Sequence, residues 1–533
     1  MPDPRVTPDL QHSPIFGLRG QRDRWLYPNE RLTPENTLKM RNINLSENGS
    51  GVMRGGYDKW SSTQIVGSEA GVGLFQADFR DHGTQQIIVT PTKVYTDNGT
   101  TRKDITGSTL SGTENDRCRF VFIDNKIVFT NGVNQVQIWG GDYSSGTDCL
   151  DLTGMPWTKC DDLVLHRNFL VALSPTESSV KETTRLRWCD VNTLTFDIDI
   201  TKWPNNNRYD IYDGGPAIVG GVDNFGTAQG SDGMLLIFKK DGLYPGFLEV
   251  DGAFIAFRPL PTRRGFRPIA KHSLIARPEF VFGIATDGAF VVRPDLSVET
   301  VTLDNRTEWQ ALDQTKLQYA ISWVREKDHQ VRTLLSSTGD GADMVMVWDW
   351  ETGDVFFDVL TDRMNYAGQI FETNAEYDWM VGKSSGYVYR GNTDRKTDDG
   401  TEYSWEIQWA PNDLGMPGIV KHITGFTLFY EPTGGNTIVD LTIERDLGSR
   451  RPFNFQKSGG GTFHAEETKS LSIGIAVKWD DDELWDRGKY WEGGATDRVR
   501  FFVNRSAEVI TPYIRGSGDI RIIGYQVTYS TEG

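Results

Sequence analysis

The chain has 533 residues, including 56 Gly and 16 Trp, and aromatic residues make up 11% of it. Frequent glycine turns between strands rich in large flat side chains are typical of an all-β protein, and this length predicts two domains or one large repeat architecture. The net charge of −17 argues against a main task of gripping nucleic acid through phosphate contacts, which needs concentrated positive charge.

Targeting signals and cysteine chemistry are not indicated. Residues 1 to 20 lack the apolar stretch of a signal peptide, and no apolar run approaches the ~18 residues of a membrane span. We therefore expect a protein made in a cytosol, with no membrane span. Cys118, Cys149, Cys160 and Cys189 fit no zinc or redox spacing, and we expect reduced, mostly buried thiols.

The first patterned segment is residues 38 to 60, "LKMRNINLSENGSGVMRGGYDKW". It holds two short alternating stretches, Leu38 to Leu45 and Val52 to Trp60, around an Asn48-Gly49 turn. It ends on a basic and aromatic cluster before any long globular pattern begins. We predict an N-terminal arm over residues 1–61.

From about residue 70 a unit recurs, made of a short apolar strand, a turn that often carries Gly, and a second apolar strand. Its turns centre near residues 90, 132, 168, 240, 287, 339 and 384. Apart from one wide gap the spacing matches the ~40 to 50 residues of a propeller blade. The pattern predicts a β-propeller over residues 62–395 with six or seven blades, a choice the sequence leaves open. One short helix is expected within residues 306–324.

A basic cluster stands out within the propeller, in "PTRRGFRPIAKH". Arg263, Arg264, Arg267 and Lys271 surround Phe266. Three readings stay open, namely a solvated loop between blades, a subunit contact, and a contact with DNA phosphate.

The sequence pattern changes after residue 395. The polar stretch 391–404 reads as a linker, and longer alternating strands follow, as in "KSLSIGIAVKWD". These strands predict a β-rich, sandwich-like platform over residues 396–533. In an alternative path, some of them close the last blade of the propeller.

The chain shows no sequence motif of a nucleotide, zinc, serine-nucleophile or calcium site, and its seven His are scattered. We expect no enzyme activity, no metal and no cofactor. A glycosidase remains the alternative, because propellers host that chemistry and carboxylates are plentiful here, although no pair is singled out.

Two segments of the sequence resemble segments of a known protein family. "NINLSENGSGVMRGGYDKW" (42–60) resembles the N-terminal segment of tail nozzle proteins of short-tailed bacteriophages, also called tail tubular or packaged-DNA stabilisation proteins. Many of these have Arg-Pro-Gly where this chain has Arg54-Gly55-Gly56. "RPIAKHSLIARPEFVFGIATDGAFVV" (267–292) is similar to a mid-propeller blade of the same proteins.

The resemblance implies a structural virion protein of the tail, made in the bacterial host cytoplasm. It implies a homohexameric ring below the portal and adaptor rings, with a needle, tail fibres or spikes beneath. Double-stranded DNA passes through such a ring without sequence-specific binding. The alternative is a carbohydrate-binding or glycoside-cleaving propeller at the tail tip.

The resemblance also gives the arm an assembly role, in which its strand edges pair with a neighbouring subunit or with the platform. The other reading is that the arm completes a sheet of its own subunit. Its candidate residues are Asn42, Asn44, Asn48, Gly49, Arg54, Gly56, Tyr57 and Trp60.

Overall fold

The computed structural model of the chain describes fourteen stretches. These are residues 10–22, 33–46, 49–142, 148–167, 169–191, 198–212, 215, 217–224, 233–246, 267–372, 375–431, 437–445, 469–473 and 497–531. The chain forms two compact units. One comprises residues 57–353 and 360–393, and the other comprises residues 1–56, 354–359 and 394–533. We call them the propeller unit and the sandwich unit.

The propeller unit contains seven blades of antiparallel strands in the part of the chain that is described, five of them separate small sheets and the last two parts of one larger sheet. Blade 1 contains Gly73–Phe79, Gly83–Val89, Val94–Asp97 and Arg102–Asp104, and blade 2 contains Arg119–Ile123, Lys126–Thr130, Gln137–Trp139 and Leu150–Asp151. Blade 3 contains Asp162–His166, Phe169–Leu173, Arg185–Trp188 and Arg208–Asp210. Blade 4 contains Ile218–Asn224, Met234–Lys239 and Gly242–Gly246. The sequence left six or seven blades open, and the structure has seven.

Blade 5 contains Pro268–Arg277, Phe280–Ala285, Gly288–Val292 and Val298–Thr300. Blade 6 contains Ile321–Arg325, Gln330–Leu335 and Ala342–Asp349. Blade 7 contains Val355–Glu372, Ala375–Gly382 and Val388–Thr393, and its outer strand is Gly56–Lys59 from the arm. The last blade is therefore completed by a strand that precedes the first blade in the chain, which closes the ring of blades.

Short elements lie beside the blades. Two small hairpins extend blade 3, Thr176–Glu177 with Val180–Lys181 and Asp190–Val191 with Ile198–Asp199. The expected helix is the six-residue Arg306–Ala311, and 3-10 turns cover Val66–Ser68, Leu303–Asn305 and Leu317–Tyr319. No helix among the described residues is both long and apolar enough to cross a membrane.

Local sequence explains the tight turns within blades. In blade 2 the paired Ile123 and Lys126 are joined by Asp124 and Asn125 alone, and both of these have positive φ, at 48° and 57°. A two-residue hairpin requires that conformation, and Asp and Asn tolerate it better than most residues.

Apolar side chains between neighbouring blades close the ring. Separate buried clusters join blades 1 and 2, 2 and 3, 3 and 4, and 4 and 5. Phe280 and Phe282 of blade 5 pack on Trp348 of blade 6. A further cluster unites Leu74 of blade 1, Ile321 of blade 6 and Trp379 of blade 7. Each blade therefore buries its faces only against its neighbours, as a closed propeller requires.

All four cysteines are reduced and buried in these inter-blade clusters, as predicted. Cys118 and Cys149 lie between blades 1 and 2, and Cys160 and Cys189 lie between blades 2 and 3. They act as small apolar side chains of the core.

The sandwich unit has two sheets. The first contains, in spatial order, Ile43–Leu45, Gly51–Met53, Arg521–Thr531, Lys421–Glu431 and Asp497–Ala507, with Gln11–His12 beside Arg521–Thr531. The second contains Asn36–Arg41, Ser404–Trp409, Ile510–Ser517, Thr437–Arg445 and Lys469–Ile473, with Arg19–Gln21 beside Asn36–Arg41. A hairpin of Thr397–Asp398 and Thr401–Glu402 precedes them.

Aromatic contacts join the two sheets. Tyr525 of the first sheet lies 4.9 Å, centroid to centroid, from Trp409 of the second and stacks at 5.2 Å on Phe426 of its own sheet. The division at residues 56 and 394 means that the predicted arm is not a unit of its own. Its residues up to Gly56 belong with the C-terminal strands, because both sheets of the sandwich take strands from the arm.

Candidate functional site

Asn42 connects the arm to neighbouring strands of the sandwich unit. It follows the strand Asn36–Arg41 with a positive φ of 57°. Its side-chain carbonyl accepts hydrogen bonds from Arg54 Nε at 3.0 Å and from the Val359 backbone N–H at 2.7 Å, and its amide donates to the Ser404 carbonyl at 2.7 Å. Asn42 thereby holds three separate chain segments.

Arg54 forms a buried ion pair with Asp398. Its Nη1 and Nη2 donate to the two carboxylate oxygens at 2.8 and 2.6 Å, and the two side chains are 3% and 0% exposed. Nη2 also donates to the Val359 carbonyl at 2.9 Å, and the guanidinium lies 3.9 Å from the Tyr403 ring centroid. Burial opposes the charge, but the bonds and charge of Asp398 prevail and raise the pKa of Arg54. The arrangement is a structural clamp.

Glycines of the arm allow close backbone packing. A Cβ on Gly56 would lie 2.0 Å from the Thr397 carbonyl oxygen, so no other residue fits there without backbone movement. Gly49 has φ +77° in the predicted turn, and Asn48 lies outside the described residues. Asn44 pairs with Val52 in the short hairpin of Ile43–Leu45 and Gly51–Met53.

The last arm residues belong to the propeller unit. The Tyr57 hydroxyl donates to Asp362 Oδ2 at 3.1 Å and accepts from the Asp362 backbone N–H at 2.9 Å. Trp60 meets Trp379 edge to face at 5.4 Å, and its backbone N–H donates to the Val388 carbonyl at 2.9 Å. These contacts fix the outer strand of blade 7.

The arm strands thus pair within their own chain. Gly51–Met53 pairs with Arg521–Thr531, and among the described strands Ile43–Leu45 lies at one edge of that sheet. Pairing with a neighbouring subunit stays a prediction, and Ile43–Leu45 is the part of the arm whose position suits it.

Two residues of the basic cluster, Arg267 and Lys271, lie within the described structure. Arg263 and Arg264 lie outside the described residues, and Arg267 is exposed. Lys271 is half-buried on the inner strand of blade 5, where its Nζ donates to the Asp161 carbonyl at 2.6 Å. Lys271 therefore contacts blade 3, whereas Arg267 faces solvent.

A central channel runs between the inner strands of all seven blades. It encloses a cavity of about 650 Å³, and its lining includes Phe75, Phe120, Leu165, Ile275, Val324 and Phe371. Phe75 and Phe120 stack with their centroids 5.2 Å apart. The lining also includes Gln76, Arg119, Asp223, His272 and Gln369, so the channel wall combines aromatic with polar side chains.

Basic side chains collect where the inner strands begin, on what we call the upper face of the propeller. Arg119 begins the inner strand of blade 2 and lies 3.3 Å from Asp162, which begins that of blade 3. Burial raises the pKa of Asp162 although Arg119 and Lys271 oppose the shift. Burial, together with Lys271 and Arg119, holds the pKa of His272 well below its ordinary value, so this imidazole is neutral. Its Nε2 has no hydrogen-bond partner in the described chain.

The sequence analysis identified Lys271 but missed Arg117, Arg119 and His272 as its neighbours. Arg117 and Arg119 flank Cys118 in "DRCRF", an ordinary strand start. Only the closure of the ring brings blade 2 next to the start of blade 5. Among the described residues, no group of three or more His, Cys, Asp or Glu is arranged to hold a metal ion.

These sheets define the class of the protein, a seven-bladed β-propeller accompanied by a two-sheet β unit. No protein-family model matches the sequence, and no curated protein matches it. Solved propellers resemble the fold. The WD40 domain of Neurospora crassa Pan2 is 9% identical with a TM-score of 0.39, covering 66% of this chain and 98% of that chain.

Two further solved structures are similar to this chain at the same level. The WD40 propeller domain of Doa1 is 10% identical with a TM-score of 0.38, covering 64% of this chain and 98% of that chain. BBS1N, solved in complex with ARL6DN, is 11% identical with a TM-score of 0.37, covering 64% and 97%. The likeness concerns the propeller fold and carries no argument about function.

Proposed function

We propose that the chain is a structural, non-enzymatic subunit of the tail nozzle ring of a short-tailed bacteriophage. In this role it extends the DNA channel below the portal and adaptor, helps retain packaged DNA, and passes it during ejection. The proposal draws on the two phrases of the sequence that resemble tail nozzle proteins. It also draws on the order of arm, propeller and β-rich C-terminal region, which that resemblance implies.

One observation carries the proposal, namely the structural use of the phrase 42–60. Asn42 and Arg54 hold strands of the sandwich unit, and Tyr57 and Trp60 fix the outer strand of blade 7. The proposal takes this structural use of the phrase as support for the resemblance, because the residues quoted for it also hold the fold together. The channel cavity supports the alternative less, because the carboxylate among its described lining residues is that of Asp223 alone, and it lies 2.8 Å from His166 Nδ1.

Copy number tests the proposal. We expect mass measurement of purified tails to give six copies per particle, alongside portal and adaptor. Because part of the ring interface then comes from a preformed collar, the isolated chain is expected to be a monomer at micromolar concentration. A stable closed ring of another number would refute the sixfold assignment, and polysaccharide cleavage by the isolated chain would replace the structural role with the glycosidase.

The proposal also predicts the chemistry of the ring's bore. Each Lys or Arg on a phosphate adds salt-dependent binding that slows the passage of DNA. A net charge of −17 suits a bore lined mainly by Asp and Glu, which repels the duplex within a Debye length of ~8 Å at 0.15 M salt. A structure of the assembled ring whose narrowest section is lined by Lys and Arg would contradict this prediction.

A further inference from the structure

A second, smaller pocket opens on the upper face of the propeller, among blades 2, 6 and 7. Its lining includes Arg117, Lys316, Tyr319, Asn365 and Lys383. The volume of the pocket is about 30 Å³, which is enough for a small polar group.

Arg117 is the unusual member of this pocket. Only 6% of the residue is exposed, and its Nε and Nη1 have no hydrogen-bond partner in the described structure. The Tyr319 ring lies 5.7 Å from the guanidinium carbon, which is a weak cation–π contact. A guanidinium that is buried without an anion or hydrogen-bond acceptors is costly, so such groups are normally found with one.

Arg117 remains a cation despite its burial. Burial lowers its pKa to about 10, and nearby Tyr366, Tyr319 and Glu114 oppose the shift. At neutral pH the lining of the pocket therefore includes a buried positive charge.

The carboxylates around the pocket are already used by its lysines. Glu114 accepts from Lys383 Nζ at 2.8 Å, and Asp340 lies 2.9 Å from Lys316 Nζ and 3.8 Å from Lys383 Nζ. Two carboxylates are thus shared with two ammonium groups. Among the described residues, no carboxylate is in hydrogen-bond contact with Arg117.

The rim of the pocket is held in place by the turn between the second and third strands of blade 6. The Arg363 Nη1 donates to the carbonyls of Thr338 and Asp340 at 2.7 Å each. Gly341 has φ +87°, and a Cβ there would lie 2.8 Å from Lys383 Cδ. The turn therefore packs closely on Lys383 and positions the cations without a ligand being present.

We propose that this pocket binds a single carboxylate group, seated on Arg117 and flanked by Lys316 and Lys383. A flat two-oxygen group suits a space of this size better than the tetrahedral oxygens of phosphate. The carboxylate comes either from a small free acid or from an Asp or Glu side chain of another protein chain. The inference does not depend on the nozzle assignment.

The test is a thermal unfolding titration of the full chain with sodium acetate, at constant ionic strength set with sodium chloride. Parallel titrations use sodium phosphate and a short capped peptide containing one Glu, with its Gln analogue as control. We expect a saturable rise in Tm with acetate, of about 3–6 °C at a tenfold excess over Kd. A response to the Glu peptide at lower concentration than to acetate would identify a protein side chain as the source, and the reverse would identify a free acid.

Three variants connect the response to the pocket. Arg117→Gln is expected to abolish the acetate response. Lys316→Gln, at the half-buried rim, is expected to fold normally and weaken the affinity about two- to fivefold. The control Arg293→Gln alters an exposed cation of blade 5 and should leave the response unchanged.

Several outcomes would overturn the proposal. In one, acetate acts no more strongly than chloride on the wild-type chain. In another, phosphate saturates at a lower concentration than acetate. If Arg117→Gln does not fold, an unchanged affinity of Lys316→Gln for acetate would be sufficient to refute the proposed carboxylate site.

Discussion

The clamp between Arg54 and Asp398 gives the sharpest test of how the arm is held. Asp398→Asn removes the negative charge while keeping the shape of the side chain. Two opposite charges about 4 Å apart attract by about 4 kcal/mol at an effective dielectric constant of 20. Because Arg54 is 3% exposed, it cannot turn to solvent to replace its partner. Removing one partner of a buried pair costs about 3–5 kcal/mol.

The assay is thermal unfolding of the full chain. With about 2–4 °C per kcal/mol for a unit of this size, we expect Asp398→Asn to lower the transition of the sandwich unit by about 6–20 °C. Arg54→Met should act similarly. The double variant Arg54→Met with Asp398→Leu should lose at least about 2 kcal/mol less than the sum of the single losses, because no unpaired charge remains.

A matched control is available at the surface. Lys93 and Asp104 also lie 2.6 Å apart, but each side chain is 42% exposed. Asp104→Asn makes the same chemical change in water, where ion pairs contribute little, and should leave the transition nearly unchanged. If Asp398→Asn shifts the transition no more than Asp104→Asn does, the buried pair does not hold the arm and our reasoning is wrong.

Three further predictions concern the propeller. The folded state keeps His272 neutral while the unfolded chain binds a proton below pH 6.5, so stability present above pH 6.5 is lost as the pH falls. Wild type should lose up to about 1.4 kcal/mol per pH unit more than His272→Gln in urea unfolding, and parallel pH profiles would contradict this. Gly141→Ala places a Cβ 2.3 Å from Phe79 at φ +85° and should lower the free energy of unfolding by about 2–4 kcal/mol. The control Gly83→Ala, at φ +66° with open space around it, should lower it by about 1 kcal/mol. Equal urea midpoints for the two variants would count against the clash. The four buried cysteines should react with a thiol reagent only after unfolding, and rapid labelling of any one in the native chain would show that its blade interface opens.

The blade hairpins were predictable because each is a local pattern. The seven predicted turns fall in seven different blades, and six of them join the second and third strands, as in Val89 to Val94. The seventh, near residue 168, joins the first and second strands of blade 3. The turn predicted in blade 3 therefore lies one strand earlier than in the other blades. Its early position and the two small hairpins of blade 3 together produced the wide gap that left the blade count open.

The grouping of the arm could not be predicted, since it depends on pairings between distant segments. Asn36–Arg41 pairs with Ser404–Trp409, and Gly51–Met53 pairs with Arg521–Thr531. Nothing in the local alternation of residues 38 to 60 distinguishes these partners from a strand of a neighbouring subunit. The constraint at Gly56, where a Cβ would lie 2.0 Å from the Thr397 carbonyl oxygen, likewise depends on a residue more than 300 positions away and is visible only in the structure.

The upper face of the propeller shows why sequence spacing is a poor guide to binding sites in this fold. Arg117 and Lys383 lie more than 260 residues apart in the chain, yet they line one pocket because blades 2 and 7 both neighbour blade 1 in the closed ring. Of the described residues in the cluster that was visible in the sequence, at 263 to 271, Lys271 contributes to the basic start of the channel and Arg267 is exposed. In a ring of blades, residues far apart in the chain meet on one face, as Arg117 before the inner strand of blade 2 and Lys383 after the second strand of blade 7 do. Cations that share a face of the ring are therefore better candidates for a joint site than cations adjacent in the chain.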